Sequence, residues 1–378
     1  RPSPLFPDAP STLQPSDRSN LLGLLGDYFL TQGRWERARG YFRAALRECA
    51  RDSGIDSRLR EIYVRGRCGV VASYDGHLTE AEDSLRLAIE GAKKFGHPVL
   101  QRSFELELAS LYQGREEFVR AEKLLLAIAR SVRRRTTRTG ADHSQELHAL
   151  LRAAGNAIDA GAASKAERYL RRSELLLARQ EHFRLRGLLH SARGRLLSTR
   201  KPHGWRRRAF QEFDAAERCF RAQGGVCVLE LARLNLYRGE AHLRLRDVKE
   251  ALRDVGRVWF DRSKLPAALQ EGCVLLKSQA LLTNDAPQPD QLYEDVLGNL
   301  GLARNPVTLF KIVANLYLYT WELDQSHLDL TDYHLRQVNK MGEILDRQTF
   351  ERLYSEHVTR KVVRRAFERT FKVGSSYS

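Results

Sequence analysis

"LGDYFLTQGRWERARGYFRAAL", residues 25–46, decides the fold. Its chemistry is thin: one Asp, no Cys, no His, and glycines too scattered to cradle a phosphate. Its spacing is informative. With Ala38 as anchor, Gly26 stands twelve positions before it, Trp35 three before, Phe42 four after and Ala45 seven after. Small residues at fixed offsets from large ones suit two helices that cross closely, with axes toward the low end of the usual range of about 8–10 Å.

The frame recurs as Gly69, Leu78, Ala81, Leu85, Ala88; as Ala109, Phe118, Ala121, Leu125, Ile128; and as Ala154, Ala163, Ala166, Leu170. A looser copy holds Gly194, Ala209, Phe213 and Ala216, and a cleaner one Gly239, Val248, Ala251, Val255 and Val258. The anchors at 38, 81, 121, 166, 209 and 251 lie 40 to 45 residues apart. Apolar residues recur at the helical stripe period, as in Leu21, Leu24, Leu25 and Tyr28. One hairpin cannot bury both its faces, so such units stack into a superhelix with a long concave wall.

These residues resemble the tetratricopeptide repeat, in which Leu25, Gly26, Phe29, Trp35, Ala38, Phe42 and Ala45 would be the first unit's packing positions. The units exceed the standard repeat of about 34 residues, and the closing Pro of that repeat is missing. Longer units of this kind are similar to those of kinesin light chains and of bacterial signalling sensor arms. The resemblance implies an all-α, right-handed α-solenoid of about eight hairpins with a C-terminal capping helix. The expected spans are a Pro-rich linker over 1–18, the array over 19–345, the capping helix over 346–372 and a tail over 373–378. Hairpins are expected near 19–50, 57–95, 99–133, 143–180, 183–222, 226–261, 265–303 and 306–343.

Carrying the repeat frame over places Asp27, Tyr63, Val70, Tyr74, Ser110, Gln113, Gly155, Asp159, Arg195, Arg233, Glu240 and Arg244 on the concave wall. Tyr63, Tyr74, Gln113, Arg195, Arg233, Glu240 and Arg244 are the candidate partner-binding set. Arginines at 195, 233 and 244 would favour the carboxylates of an acidic peptide through charge-assisted bonds. The clamp by which some repeats of this kind hold chaperone tails needs Lys and Asn where this chain has Gly23 and Asp27, which argues against that partner.

Lys and Arg number 63 against 47 Asp and Glu, a net charge of +16. A field of that sign attracts nucleic acid or acidic protein segments. Two basic runs concentrate it: Arg133, Arg134, Arg135 and Arg138 in "RSVRRRTTRTG", and Arg206, Arg207 and Arg208 beside Trp205. They form a candidate anion or nucleic-acid patch, since aromatic residues within basic runs are what single-strand binders use. The apolar run "NPVTLFKIVANLYLYTWEL" at 305–323 offers Tyr317, Tyr319 and Trp321 as a candidate docking surface; packing against the capping helix is the competing reading.

Five widely spaced cysteines without a C-x-x-C pair point to reduced thiols and a cytoplasmic setting. No apolar run reaches the roughly 18 residues of a membrane span. Motifs for phosphate loops, zinc proteases, serine hydrolases and calcium loops are absent. The chain is therefore expected to be a non-catalytic interaction scaffold with no cofactor and no metal, binding an acidic protein or peptide; nucleic acid is the alternative. If it is part of a longer regulator, an output domain would precede Arg1.

Overall fold

All six anchor alanines, Ala38, Ala81, Ala121, Ala166, Ala209 and Ala251, have 0% of their surface exposed. The computed structural model describes residues 14–32, 34–52, 54–139, 143–178, 182–223, 227–260, 265–283, 286–322, 328–359 and 362. Among them every regular element is helical.

The chain divides into two compact units, 1–227 with 263–266, and 228–262 with 267–378. The first unit holds five helical hairpins: α1 (Pro15–Thr31) with α2 (Trp35–Cys49), α3 (Ile55–Tyr74) with α4 (Leu78–Lys94), α5 (Pro98–Gly114) with α6 (Phe118–Thr139), α7 (Ser144–Asp159) with α8 (Ala163–Leu177), and α9 (Phe183–Arg200) with α10 (Trp205–Ala222). The second holds α11 (Val228–Arg244) with α12 (Val248–Trp259), α13 (Ala267–Leu281) with α14 (Pro289–Gly298), α15 (Pro306–Glu322) with α16 (Leu328–Ile344), then α17 (Arg347–Leu353).

Why the hairpins close is read from the small residues. A Cβ on Gly26 would stand 2.5 Å from the Phe42 ring, and one on Gly194 would stand 2.5 Å from Phe213. The crossing glycine ahead of the anchor thus makes room, in both hairpins, for the residue four after that anchor. Phe42, Leu85, Phe213 and Val255 fill that position with none of their surface exposed. Burial of a large apolar side chain contributes about 1.5–3 kcal/mol, so the frame places its strongest contacts at the crossings.

Successive hairpins in the first unit are also tied by polar pairs one position past the anchors. Arg39 reaches Asp75 at the end of α3, and Glu82 reaches Arg115 just past α5. Glu122 bonds Lys165 at 2.8 Å and Tyr169 at 2.7 Å, and Glu167 reaches Arg200 at the end of α9. Exposed pairs contribute little stability; repeated at one position of the frame, they fix the register between neighbours.

α1 departs from expectation. Its stripe of Leu21, Leu24 and Tyr28 faces outward, Leu24 being 68% exposed, and the buried face is Ser19, Gly23, Gly26 and Leu30. Among the described residues it packs chiefly on α2 and α3, which cover its small-residue side.

In the second unit α15 is covered on two sides. Ile312, Leu316 and Tyr319 join one cluster with Val274 and Val296, while Phe310, Val313 and Ala314 join another with Val338 and Leu353. An all-round apolar helix needs this double cover. α17 starts at an Asp346 cap and continues as a π-helical turn over Tyr354–Thr359, with Leu353 and Val358 buried against α15. Phe367 and Phe371, within the expected capping helix over 346–372, lie outside the described residues.

Candidate functional site

In the first unit the odd-numbered helices share a face, and polar side chains bridge them there. Asp27 of α1 accepts from the Tyr63 hydroxyl and from Arg67 Nε at 2.6 Å, both on α3. Arg60 of α3 donates back to the Ser16 carbonyl at 2.8 Å and the Ser19 hydroxyl at 2.9 Å. Arg102 of α5 donates to Gln145 at 2.8 Å, and Arg152 of α7 donates to the Leu106 carbonyl at 2.8 Å. Burial and the bond to Asp27 push the Tyr63 hydroxyl up to about 12, so it stays protonated and donating.

Three helices converge on one cluster of this face. Gln113 of α5 donates through Nε2 to Asp159 Oδ2 at 2.5 Å, and Arg195 of α9 bonds Asp159 Oδ1. Gly155, one turn before Asp159 on α7, lies directly beneath: a Cβ there would be 3.7 Å from Arg195 Nη1 and 4.0 Å from Gln113 Nε2. The Arg195 side chain is only 12% exposed, and its charge is met by Asp159.

The structure thus brings together Gln113, Gly155, Asp159 and Arg195, and separately Asp27 and Tyr63. Other wall positions lie elsewhere. Val70 is buried in the first unit's core among Leu85, Phe104 and Leu108. Tyr74 packs edge-on against Trp35 between hairpins. The Ser110 hydroxyl bonds back to the Leu106 carbonyl. Arg233, Glu240 and Arg244 belong to the second unit, on α11; Arg244 pairs with Glu240 at 3.6 Å, and half-buried Arg233 has no acidic partner among the described residues. Arg60, Arg67 and Arg152 escaped the sequence reading, although Arg60, Tyr63 and Arg67 already share one helical stripe.

The two basic runs are not neighbours. Glu122, near the start of α6, meets Lys165 in the first turn of α8 and Tyr169 one turn on, and Glu167 meets Arg200 just before α10, so α6, α8 and α10 start at one edge. Arg206, Arg207 and Arg208 are exposed at that edge, in a first turn without an acidic residue. Arg133 and Arg134 stand eleven and twelve residues along α6 from Glu122, about 16–18 Å down its axis. The side chains of Arg135 and Arg138 lie outside the described residues. Of the apolar candidates Tyr319 is buried, tilted against the Tyr293 ring, Tyr317 is half-buried in the cluster around Phe310 and Phe350, and Trp321 is half-buried.

Among the described residues no His, Cys, Asp and Glu group could hold a metal, and no helix is long and apolar enough to cross a membrane.

No protein-family model matches the sequence, and no curated protein matches it. The fold does match solved structures. A Rap protein complexed with Competence and Sporulation Factor aligns at TM-score 0.51 and 10% identity, covering 87% of this chain and 98% of that one. The Rap conjugation gene regulator of the plasmid pLS20, in complex with the Phr* peptide, aligns at TM-score 0.52 and 12% identity over 79% of each chain. The structural neighbours are tetratricopeptide-type repeat proteins. At such identities the likeness shows the fold: an all-α array of helical repeats.

Proposed function

We propose that this chain is a non-catalytic interaction scaffold, and that the face shared by the odd-numbered helices of its first unit binds a peptide of a protein partner. The observation that supports this most is the polar lining of that face: Asp27, Tyr63, Gln113, Asp159 and Arg195 are held at fixed positions by bonds between successive helices. Groups fixed before binding cost less to order when a ligand arrives. Stacked repeats create long concave surfaces suited to extended ligands, and the pLS20 regulator was solved with a peptide.

The partner segment is acidic on this reading. Arg60 of α3 reaches the neutral Ser16 carbonyl and Ser19 hydroxyl of α1, so a cation stands on this face bonded to uncharged oxygens. A cytoplasmic setting fits five thiols without a disulfide. Capped dodecapeptide libraries, one rich in Asp and Glu and one rich in Lys, test the reading by fluorescence anisotropy against the full chain. Acidic peptides should bind and lose at least tenfold in affinity with Arg60→Glu. Equal binding of both libraries, or indifference to that substitution, would remove the proposal.

Nucleic acid is a second reading, carried by exposed Arg206, Arg207 and Arg208 at one helix start. Phosphate-dominated binding would fall by about 10³–10⁵ between 50 and 200 mM salt for six to ten contacts. Peptide binding in the groove should fall far less over the same range.

A further inference from the structure

Helical glycines are costly, because glycine orders more backbone freedom than alanine for the same hydrogen bonds. Most of those in this chain are required by packing. A Cβ at Gly26, Gly66, Gly187 or Gly194 would stand 2.1–2.5 Å from a phenylalanine ring. Gly155 is different. Its nearest neighbours for a Cβ are the Arg195 guanidinium at 3.7 Å and the Gln113 amide at 4.0 Å, both ordinary contact distances. Nothing in the helix packing asks for glycine there. Gly40, Gly256 and Gly298 also face open space, but they stand on the even-numbered helices α2, α12 and α14, and Gly23 of α1, whose Cβ would meet only Val64 at 3.9 Å, is buried.

What Gly155 leaves is a shallow recess on the shared face of α5, α7 and α9, with polar groups above it. The charges there are matched, Arg195 to Asp159. Gln113 spends one N–H on Asp159 and keeps its amide oxygen as an acceptor beside a second N–H. A neutral primary amide is complementary to another amide: its oxygen takes an N–H while its N–H gives to a carbonyl. A lone carboxylate would meet an arginine already paired.

We infer that Gly155 and Gln113 form a main-chain subsite, where the backbone of an extended peptide lies against the bare α7 helix and exchanges amide hydrogen bonds with Gln113. This rests on the reading of that face as a peptide groove. The missing side chain permits an approach that any Cβ would hold off by more than an ångström. Affinity at this point is independent of the ligand's side chains, and selectivity for acidic residues falls to the arginines farther along the face.

Gly155→Leu and Gly155→Ala test the subsite, using as probe the tightest capped peptide recovered from the Asp- and Glu-rich library. Alanine should raise the melting temperature by roughly 2–4 °C, since a better helix former replaces glycine at a site with room for it. Leucine should leave the helical circular dichroism unchanged and weaken the peptide at least tenfold. An N-methyl scan of the peptide should find one main-chain N–H whose loss costs a similar factor, and Gln113→Leu should remove that sensitivity. If the peptide binds, responds to Arg60→Glu, yet ignores Gly155→Leu, the subsite is overturned and the groove stands. A flat N-methyl scan overturns the amide chemistry. If no library peptide binds, or none responds to Arg60→Glu, the groove falls and the subsite with it.

Discussion

Gly26 and Phe42 show how much of this molecule is settled by single side chains. Because a Cβ on Gly26 would stand 2.5 Å from the Phe42 ring, Gly26→Ala should destabilise the first unit by about 1–3 kcal/mol despite alanine's better helix propensity. Phe42→Ala should cost about 3–5 kcal/mol, and urea midpoints read both. Gly155→Ala should move stability in the opposite direction. The contrast was only half legible in the sequence: the offset of twelve marked Gly26 as a crossing residue, whereas nothing in the order of residues says that Gly155 has room above it.

Two buried groups in the second unit titrate against each other. His334 is 1% exposed and bonds the Tyr293 hydroxyl at 2.8 Å; burial pushes it down to about 4. Glu271 accepts the backbone N–H groups of Arg304 and Asn305 at 2.8 and 2.9 Å, and burial outweighs those bonds, pushing it up to about 7. Between about pH 6.5 and 4 the unfolded chain protonates His334 before the folded one does, so stability falls as pH falls. Between about 4.3 and 7 the unfolded chain ionises Glu271 first, so stability falls as pH rises. The two trends offset. Glu271→Gln should therefore leave a unit that weakens toward acid, by on the order of 3 kcal/mol across that range. His334→Gln should leave one that weakens toward neutrality. Urea midpoints between pH 4 and 8 distinguish them; parallel behaviour of the two variants would contradict the assignment.

At the scale of elements, helix ends carry the next tests. Asp346 caps α17 by accepting from Thr349 N at 3.0 Å, and that hydrogen bonding holds its carboxyl below the usual range. Asp346→Ala should cost about 0.5–2 kcal/mol and loosen the turn that carries Leu353 and Val358, measured by amide exchange of α17. α10 is the opposite case: three arginines crowd the positive end of its dipole with no acid among them. Arg207→Glu should stabilise the first unit by about 0.3–1 kcal/mol, an effect that added salt would shrink. Helix positions were legible from period alone, because an anchor alanine and its partners are local. The separation of the two basic runs was not, since it depends on which edge the even helices start from. Nor could periodicity tell whether an all-round apolar helix such as α15 is covered or exposed; only its neighbours settle that Tyr319 is core.

At the scale of the whole chain, the repeat frame predicts one kind of hairpin, and hairpins fill both units. The polar bridges that define the candidate site were less legible. Gln113, Asp159 and Arg195 lie 46 and 36 residues apart in sequence, and their meeting depends on how far each hairpin rotates relative to the last. The frame named them as wall residues without pairing them, and so overstated Arg195 as an available cation. Arg39, Glu82, Glu122 and Glu167, each one place after an anchor, form a ladder of inter-hairpin bonds that the same frame could have found.

Hydrogen–deuterium exchange of the full chain, with and without a saturating acidic peptide from the library, tests the account most directly. It predicts slowed exchange in α3, α5, α7 and α9, with α6, α8 and α10 unchanged. Slowing confined to α6, α8 and α10 would contradict it.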